Sequence, residues 1–461
     1  MPDLFDLLIT GAQVVTGPTT VGPATLAVAN GRIAAILAPA ARPPAASVID
    51  ASGLHVLPGL IDTHVHTRHP GIAEREDFRS GTAAAAAGGI TTLFEMPIAK
   101  VPANSADGVR RRVAAMAPEA HIDFALYGGA GHDNLPDIAG QAEAGVVAFK
   151  TFLQPPPPAR LDEFFGLWCT DHAALRAVMA SVAATGLRHC FHCEDTPMFQ
   201  SLQAQLADAG RRRGRAHAES RPPIVEEVSV ALVLALAAES GGPVGVVHCS
   251  SARSAQLVAD ARARGLDATV ETCPPYLFFT DEALDRLGPF AKCNPPLRSA
   301  EGVQALWRAL DAGLIDYLGT DHSPFLAHEK AAATDDIFKA PPGLCGLEVM
   351  APLMLTAVAE GRLTLPRMVE LCSTRAADLF RLAGKGRVAE GADADLALVD
   401  LGAAWTYDHR HAMTRSKDNM AIYDGVRLRG RVVSTFVRGV RVFAEGAITG
   451  PAGHGRFVRP A

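Results

Sequence analysis

Residues 59–66 read Gly-Leu-Ile-Asp-Thr-His-Val-His, an apolar run that ends in two histidines separated by one residue. Side chains alternate along a β-strand, so His64 and His66 project from the same face of the strand predicted here. Two imidazoles on one face can bind one metal ion together, although histidines of a loop also make ordinary hydrogen bonds. The pair is therefore a candidate metal site. Which interpretation holds depends on whether the rest of the chain supplies further metal ligands.

Four further β-rich runs end in a residue that can titrate or bind a metal. These residues are Lys150 after Val-Val-Ala-Phe, His192 after Arg-His-Cys-Phe, His248 after Val-Gly-Val-Val and Asp321 after Tyr-Leu-Gly-Thr. Taken singly, each has a structural alternative: a lysine that reaches solvent, a hydrogen-bonded core histidine or a helix-capping aspartate. Five such endings in order along the chain indicate instead one shared site, because a parallel barrel gathers its catalytic groups at the strand ends.

The pattern around these runs predicts the fold. From about residue 59 to 387, short β-rich runs alternate with longer Ala- and Leu-rich helical stretches, which is typical of a (β/α)8 TIM-like barrel. On either side, alternating apolar positions and Gly turns predict strands. We therefore expect residues 59–387 to form the metal-dependent catalytic barrel, and residues 1–58 and 388–461 to form the two parts of one small β-sandwich.

Composition excludes several classes of protein. The chain has 461 residues, of which 48% are hydrophobic and 20% are charged, so it has ample material for a core. Its net charge of −6 and the absence of a basic run longer than Arg211–Arg213 argue against a nucleic-acid partner. The stretch 228–238 is shorter than the roughly 20 apolar residues of a membrane span, and the opening MPDLFDLLIT carries acids where a secretory signal has bases. We expect a cytoplasmic protein with no membrane partner.

The eight cysteines include a single C-x-x-C pair, Cys190 and Cys193. Such a pair can bind zinc or act in redox chemistry. In a reducing compartment, however, most cysteines are small buried hydrophobic residues, and we expect that here.

Four histidines, one lysine and one aspartate suit two divalent ions if Lys150 takes up carbon dioxide as a carbamate. The modification would convert a buried cation, which is costly, into an anionic bridge between the ions. Two ions about 3.5–4 Å apart can share a hydroxide near neutral pH while one of them polarises a carbonyl oxygen. The predicted reaction is the hydrolysis of an amide or ester.

Long motifs spread over nearly the whole chain resemble the metal-dependent amidohydrolases, within them the cyclic-amide branch of allantoinase, dihydroorotase and hydantoinase. The motifs are PGLIDTHVHTRHPG, GTAAAAAGGITTLFEMP, VVAFKTF, FHCEDT, VVHCSSA, ETCPPYLFF, AKCNPPLR, GTDHSPF, PPGLCGLE and GADADLALVD. The resemblance implies a (β/α)8 barrel with a terminal β-sandwich, two metal ions that are usually zinc, a carboxylated Lys150 and the opening of a ring C–N bond. It also implies a small cyclic amide as substrate and a homo-oligomer, either a dimer or a tetramer.

The resemblance also suggests roles for single residues. His64 and His66 are implied as ligands of the more buried ion, and His192 and His248 as ligands of the other ion. Asp321 resembles the ligand that takes the proton from the bridging hydroxide and passes it to the leaving nitrogen. This transfer is general acid–base catalysis.

The substrate-facing residues resemble more than one relative. Arg68 is placed as in dihydroorotases, where an arginine holds the substrate carboxylate, but it can instead pair with Glu74, Glu76 or Asp77. The wording of residues 95–97 and 321–324 resembles allantoinases, and Asn294 and His322 are further candidates for substrate binding. Hydantoinases usually carry a Tyr and an Asn at two positions that here are Pro155 and Pro342.

We expect an allantoinase-like hydrolase with dihydroorotase-like features. The alternatives are a dihydroorotase, a hydantoinase or cyclic imidase and, in a different class, a non-catalytic dihydropyrimidinase-like scaffold. Scaffold proteins of that kind typically lack several ligands, whereas all six ligand positions are filled in this chain.

Overall fold

The computed structural model of the chain describes residues 4–17 and 20–461, so residues 1–3 of the acidic opening lie outside it. The strands are β1 (Phe5–Val15), β2 (Val21–Ala29), β3 (Arg32–Leu37), β4 (Ala45–Asp50), β5 (His55–Pro58), β6 (Leu60–Val65), β7 (Ile90–Glu95), β8 (Asp123–Gly129), β9 (Ala148–Phe152), β10 (His189–His192), β11 (Val244–Val246), β12 (Ala268–Thr272), β13 (Tyr317–Leu318), β14 (Leu396–Thr406), β15 (Arg427–Val437), β16 (Val440–Ala444) and β17 (Ala447–Ile448).

The helices lie mostly between the strands of the middle segment. They are α1 (Phe78–Ala87), α2 (Ala106–Met116), α3 (Ile138–Ala144), α4 (Leu161–Phe164), α5 (His172–Ala183), α6 (Thr196–Asp208), α7 (Ala216–Glu219), α8 (Pro223–Ser240), α9 (Ala252–Ala263), α10 (Pro274–Phe278), α11 (Glu282–Leu287), α12 (Ala300–Asp311), α13 (Ala327–Ala331), α14 (Met350–Ala359), α15 (Leu365–Val369) and α16 (Arg375–Leu379). Over the described ranges, none of these helices is both long and apolar enough to cross a membrane.

Strands β6 to β13 form one parallel sheet whose strand order follows the sequence. Its two edges meet just beyond β13, where the backbone N–H of His66 donates to His322 O over 2.8 Å. A second contact runs from Thr320 N to Asp62 Oδ1, over 2.9 Å. The sheet is thus a nearly closed (β/α)8-type barrel, which confirms the prediction from the strand–helix pattern.

The remaining nine strands form one mixed sheet from both ends of the chain, in the order β17-β16-β15-β14-β5-β1-β2-β3 with β4 paired to β1. The two ends join where β14 pairs antiparallel with β5, for example Leu398 opposite Val56. The expected pairing of the termini into one β-rich unit is therefore confirmed. The division at residues 58/59 and 387/388 stays a prediction.

A segment of the terminal unit reaches back to the barrel. Between β14 and β15 the chain leaves the sheet, and the side-chain hydroxyl of Ser416 donates to Arg75 O over 2.7 Å. On the other side of this segment, Cys345 N donates to Asn419 O over 3.4 Å. The terminal unit thereby contacts the loops that follow β6 and β13, which are the loops around the predicted site.

Helix α1 shows how local sequence positions these loops. Asp77 caps its first turn, accepting a hydrogen bond from Ser80 N at 2.7 Å, which satisfies a backbone donor that the helix leaves free. Further along, the small residues Ala84, Ala85 and Ala86 are fully buried. The helix is thereby fixed at its start by a cap and along one side by close packing.

Candidate functional site

The six predicted metal-site residues lie at the carboxyl ends of the barrel strands. Three belong to strands, and three follow them within three residues; in chain order they are His64 in β6, His66 after β6, Lys150 in β9, His192 in β10, His248 after β11 and Asp321 after β13. This is the end of a parallel barrel at which loops build active sites. The fold thus brings together residues that lie far apart in the chain, from His64 to Asp321.

His64, His66 and Asp321 form the tightest group, in which one ligand atom from each residue lies within 4.8 Å of the others. The Nε2 atoms of both histidines are 3.3 Å from Asp321 Oδ1. Burial lowers the pKa of His66 to about 3, so its ring is neutral at neutral pH. Burial alone would raise the pKa of Asp321, but the neighbouring His64 and His66 lower it to about 2. A neutral imidazole and an ionised carboxylate are the forms that bind metals.

His192 and His248 form a second pair beside the first group. Nδ1 of His192 lies 2.9 Å from Nε2 of His248, and the ring of His248 is centred 5.2 Å from that of His64. Burial lowers the pKa of both histidines, so both rings are neutral at neutral pH. The two facing nitrogens lie within hydrogen-bond distance of each other, and each can offer a lone pair to a ligand in the tautomer that carries the proton on its other nitrogen.

Lys150 is buried on a strand with no exposed residue. Its side chain is inaccessible to solvent, and within the described part of the chain its Nζ has no hydrogen-bond partner. Burial lowers the pKa of Lys150 to about 8, although the charges of Glu271 and Asp321 act in the opposite direction. An amine held without water or an ion pair is costly in its charged form. Only its neutral form adds carbon dioxide, so the environment of Lys150 suits the predicted carbamate.

Backbone conformation is unusual at three of the predicted site residues. Arg68, His248 and Asp321 have φ values of 58°, 40° and 50°, in the left-handed region that residues other than glycine rarely adopt. Such conformations cost about 1–3 kcal/mol each and persist only where the surroundings enforce them. Their concentration at the ends of these strands indicates that the chain is held there for a purpose other than stability.

Glu271, in β12, supports the histidines and was missed by the sequence reasoning. Its Oε1 is 2.7 Å from His64 Nδ1 and accepts the backbone N–H of His248 at 3.1 Å, and its Oε2 accepts the Thr63 hydroxyl at 2.6 Å. Because Nδ1 of His64 is engaged by Glu271, Nε2 remains free to bind a metal. The signal that could have revealed Glu271 is an acidic residue inside the apolar run Ala-Thr-Val-Glu-Thr.

Gly319 shows how closely these groups approach. A Cβ at this position would lie 2.9 Å from the Cβ of His64 and 3.0 Å from the carboxyl carbon of Glu271. Only a residue without a side chain fits between them.

Glu194 supports the second pair in the same way and was also missed. Its Oε2 lies 2.9 Å from Nε2 of His192 and accepts a hydrogen bond from Arg221 Nη1 at 2.6 Å. Nδ1 of His192 is thereby left to face His248. Glu194 is the acidic residue of the motif FHCEDT, two positions after the histidine that it supports.

Arg68 does not engage Glu74, Glu76 or Asp77 but donates to the loop that follows Asp321. Its Nη1 donates to Pro324 O at 2.9 Å and its Nη2 to Ser323 Oγ at 2.6 Å. The guanidinium also lies 4.5 Å above the ring of Phe325. Burial lowers the pKa of Arg68 to about 9. Each terminal nitrogen therefore donates one hydrogen bond to a protein group, whereas Nε has no partner among the described residues.

Asn294 and His322 differ in how free their side chains are. Oδ1 of Asn294 is buried and, in the described part of the chain, has no hydrogen-bond partner. His322 is enclosed instead: its Nδ1 accepts the backbone N–H of Gly346 at 3.2 Å, and its Nε2 lies 3.5 Å from Glu76 Oε2. Asn294 retains an acceptor for a ligand, whereas both ring nitrogens of His322 face protein groups.

All eight cysteines, including Cys190 and Cys193, are buried and free. Cys190 packs inside the barrel, with its Sγ 3.9 Å from the hydroxyl of Tyr127. Burial raises the pKa of Cys193 well above its usual range, so this thiol is not a thiolate ligand at neutral pH.

The site fits two divalent ions on three observations of its chemistry. Nε2 of His64 and His66 converge on a carboxylate, the ring nitrogens of His192 and His248 face each other, and the amine of Lys150 is orphaned. In each histidine group a carboxylate engages one ring at the nitrogen that does not face the ligand space: Glu271 at Nδ1 of His64 and Glu194 at Nε2 of His192. Carboxylate-supported histidines of this kind are characteristic of metal sites.

A parallel barrel with such a centre at the carboxyl ends of its strands defines a metal-dependent hydrolase by its class. The family model described as "Amidohydrolase family" matches residues 55–442. The chain belongs to the amidohydrolase family.

Individual relatives match the chain over almost its full length. It is 39% identical to an allantoinase of Rubrobacter xylanophilus, with 99% of this chain and 98% of the relative aligned. It is 35% identical to a dihydroorotase of Methanothermobacter thermautotrophicus, with 99% and 97% aligned. Among solved structures, an L-hydantoinase (dihydropyrimidinase) from Arthrobacter aurescens superposes with a TM-score of 0.93 at 34% identity, covering 99% of this chain and 100% of that one.

Proposed function

We propose that this amidohydrolase opens a C–N amide bond of an uncharged cyclic amide of the allantoin or hydantoin type, using two metal ions. The observation that carries the proposal is the convergence of His64, His66 and Asp321 beside the His192–His248 pair at the catalytic end of the barrel. The allantoinase and L-hydantoinase relatives support the choice of ring.

We assign the metal ligands as the sequence predicts them. His64, His66 and Asp321 would hold one ion, His192 and His248 the other, and Lys150 would bridge them as a carbamate. When bound, the ions, for which we propose zinc, supply an activated hydroxide near neutral pH and polarise the amide carbonyl. The buried and orphaned Nζ of Lys150 supports the bridge, because a carbamate would replace an unpaired cation by a ligating anion.

We assign Asp321 as the residue that carries the proton from the attacking water to the leaving nitrogen. Its side chain is 18% exposed, compared with 1% for His64 and 7% for His66, so it is the member of this group that can reach both the ligand space and the substrate side. An ionised carboxylate there can take a proton from the attacking water at one oxygen. Protonated in this way, it can deliver the same proton to the ring nitrogen as the C–N bond breaks.

The contacts of Arg68 and Asn294 bear on which ring the enzyme takes as its substrate. Each terminal nitrogen of Arg68 already donates to the loop after Asp321, so we assign the guanidinium to the support of that loop rather than to a substrate carboxylate, although its Nε has no partner among the described residues. Asn294 Oδ1 is a buried acceptor without a partner, and the N–H of a cyclic ureide or imide would satisfy it. The engaged guanidinium of Arg68 favours an uncharged ring over dihydroorotate, whereas Asn294 would accept the N–H of either ring.

The test is a panel of allantoin, hydantoin, dihydrouracil, dihydroorotate and a small cyclic imide, assayed after loading with zinc, cobalt or manganese. We expect two ions per chain and turnover of the uncharged rings. Asp321→Asn should keep most of the metal, while turnover falls by at least about 10²-fold. Asp311→Asn, at an exposed position, is the matched control. A chain without metal or turnover on every ring would instead support the scaffold alternative.

Three further assignments complete the proposal. Residues 59–387 are the catalytic domain, with residues 1–58 and 388–461 as the accessory domain. The enzyme is a homo-oligomer, a dimer or tetramer, which light scattering would test. It acts in the cytoplasm, as eight buried cysteines without a disulfide suggest, and fractionation of cells would test this location.

A further inference from the structure

His322, next to the proposed proton carrier, has its ring between two protein groups, the backbone of Gly346 and the carboxylate of Glu76. The backbone N–H of Gly346 donates to Nδ1, so the proton of the neutral ring is on Nε2. Nε2 in turn lies 3.5 Å from the carboxylate of Glu76, and the two side chains are 1% and 0% exposed. The imidazole is thus held by one hydrogen bond at Nδ1, while its Nε2, which has no hydrogen-bond partner among the described residues, faces the Glu76 carboxylate at ion-pair distance.

The backbone of His322 touches two members of the proposed metal centre. Asp321 precedes it directly and has the left-handed φ of 50°. The carbonyl oxygen of His322 accepts the backbone N–H of His66 at 2.8 Å. A shift of the His322 ring would thus move the strained peptide that carries Asp321 and the contact that closes the barrel at His66.

Glu76 is itself fixed by hydroxyl groups from two parts of the chain. Its Oε2 accepts the hydroxyl of Thr414, and its Oε1 accepts the hydroxyl of Ser80 and, at 3.3 Å, the backbone N–H of Arg415. Both Glu76 and Thr414 are 1% exposed. Thr414 belongs to the C-terminal segment and lies 338 positions from Glu76.

The segment around Thr414 is itself anchored on the barrel. Glu348 accepts the backbone N–H groups of Met413 and Thr414 at 2.7 and 3.1 Å. Arg415 Nη1 donates to Ala73 O at 2.8 Å. Thr414 is thus presented to Glu76 by a fixed stretch of the accessory unit.

We infer that Glu76, held by Thr414 of the C-terminal segment, is a positioning residue for the catalytic centre and acts through His322 on Asp321 and His66. The terminal unit therefore contributes to turnover as well as to stability. The inference deepens the proposed function, on which it rests, and assigns His322 to the support of Asp321 rather than to substrate binding.

The experiment compares three threonine variants in the zinc-loaded full-length enzyme with hydantoin and allantoin as substrates. Thr414→Val removes the hydroxyl that Glu76 accepts, and Thr414→Ser keeps it. Thr435→Val is the matched control. Thr435, in β15, is also buried in the C-terminal segment and donates to a barrel group, Ala86 O at 2.7 Å, which lies at the opposite end of α1 from the Ser80 that contacts Glu76.

We expect Thr414→Val to lower kcat about 10- to 100-fold with KM changed less than about threefold, as for other supporting groups of metal centres. Thr414→Ser should restore kcat to within about threefold of the wild type. Thr435→Val should lower the melting temperature by a similar amount but leave kcat unchanged. Glu76→Gln should reproduce the loss in kcat, because the N–H₂ group of the glutamine amide can face the Nε2–H of His322, so that two hydrogen-bond donors are placed opposite each other. A kcat for Thr414→Val no lower than that of Thr435→Val would overturn the inference, as would failure of Thr414→Ser to restore it.

A second readout separates this inference from the proposed function. The rate of zinc loss to dipicolinate, measured by elemental analysis, does not require turnover. It should rise in Thr414→Val and Glu76→Gln, because His322 O holds the backbone of His66, and stay at the wild-type value in Thr435→Val. If the wild type opens none of the rings, the proposed reaction is wrong, and the release rates still decide the positioning role. Equal release rates in all variants would overturn it.

Discussion

Glu271 Oε1 lies 2.7 Å from His64 Nδ1, and the same oxygen accepts the backbone N–H of His248 at 3.1 Å. One buried carboxylate oxygen therefore supports a ligand from each of the two proposed metal positions. The orientation of the His64 ring and the path of the chain at His248 are fixed by the same group.

We expect Glu271→Gln to weaken metal binding about 10- to 100-fold, the usual cost of altering a group that orients a metal ligand. Gln keeps the size of the side chain but loses the charge that holds the proton on Nδ1 of His64. Zinc affinity is measured by competition with a chelator. Thr63→Val removes the hydrogen bond that Glu271 Oε2 accepts at 2.6 Å, leaves both contacts of Oε1 in place and should have a smaller effect. Equal losses in the two variants would show that the contact with His64 is not the important one.

Lys150→Ala should lose both metal and turnover, because the bridge between the two ions is removed. Acetate or propionate in the buffer should partly restore both by standing in for the carbamate. Lys330→Met is the control, since Lys330 is also fully buried with its pKa lowered by burial to about 8, but donates to Pro289 O at 3.0 Å. It should retain the metal. Full metal content and normal turnover in Lys150→Ala would rule out the bridging role.

Arg68→Met should reduce turnover of every ring that the wild type opens, because the guanidinium holds the loop after Asp321 rather than a substrate charge. Dihydrouracil and dihydroorotate are the diagnostic pair, since they differ only in the carboxylate. We expect the ratio of their KM or inhibition constants to be the same in wild type and variant. If Arg68 bound the carboxylate, the variant would lose about 10- to 150-fold on dihydroorotate alone.

Glu348 links stability to pH. Burial raises its pKa from 4.5 to about 7, although the N–H groups of Met413 and Thr414 act in the opposite direction. The folded chain therefore binds more protons than the unfolded chain between these two values, so the free energy of unfolding falls as the pH rises from about 4.5 to about 7. The difference between the two pKa values corresponds to at most about 3 kcal/mol.

Glu348→Gln should remove this dependence. The variant should be more stable than the wild type at pH 8, and the difference should shrink by pH 5.5, as measured by urea unfolding. Glu360→Gln, at an exposed position at the end of α14, is the matched control and should leave the pH dependence unchanged. A difference between Glu348→Gln and wild type that is the same at both pH values would contradict the assignment.

Much of the site could be predicted from the sequence because each metal-ligand candidate follows an apolar run. The alternation of side chains along a strand placed His64 and His66 on one face, and the expected parallel barrel placed Lys150 and Asp321 at the same end of the molecule. Local periodicity and the direction of parallel strands do not reveal which group pairs with a buried charge. Glu271 and Glu194 were therefore missed, and the role of Arg68 stayed open.

Strand period, helix period and motif order are properties of the chain, and they were sufficient to predict the barrel and the joint β-rich unit of the two termini. The ligand set that they indicate stays a prediction. Which nitrogen of His64 is free, which groups Arg68 contacts and how Thr414 reaches Glu76 depend on the folded chain, because a buried polar group must find its hydrogen-bond partner wherever the closed barrel places one. For Glu76 that partner lies 338 positions away, at a distance where no sequence pattern applies.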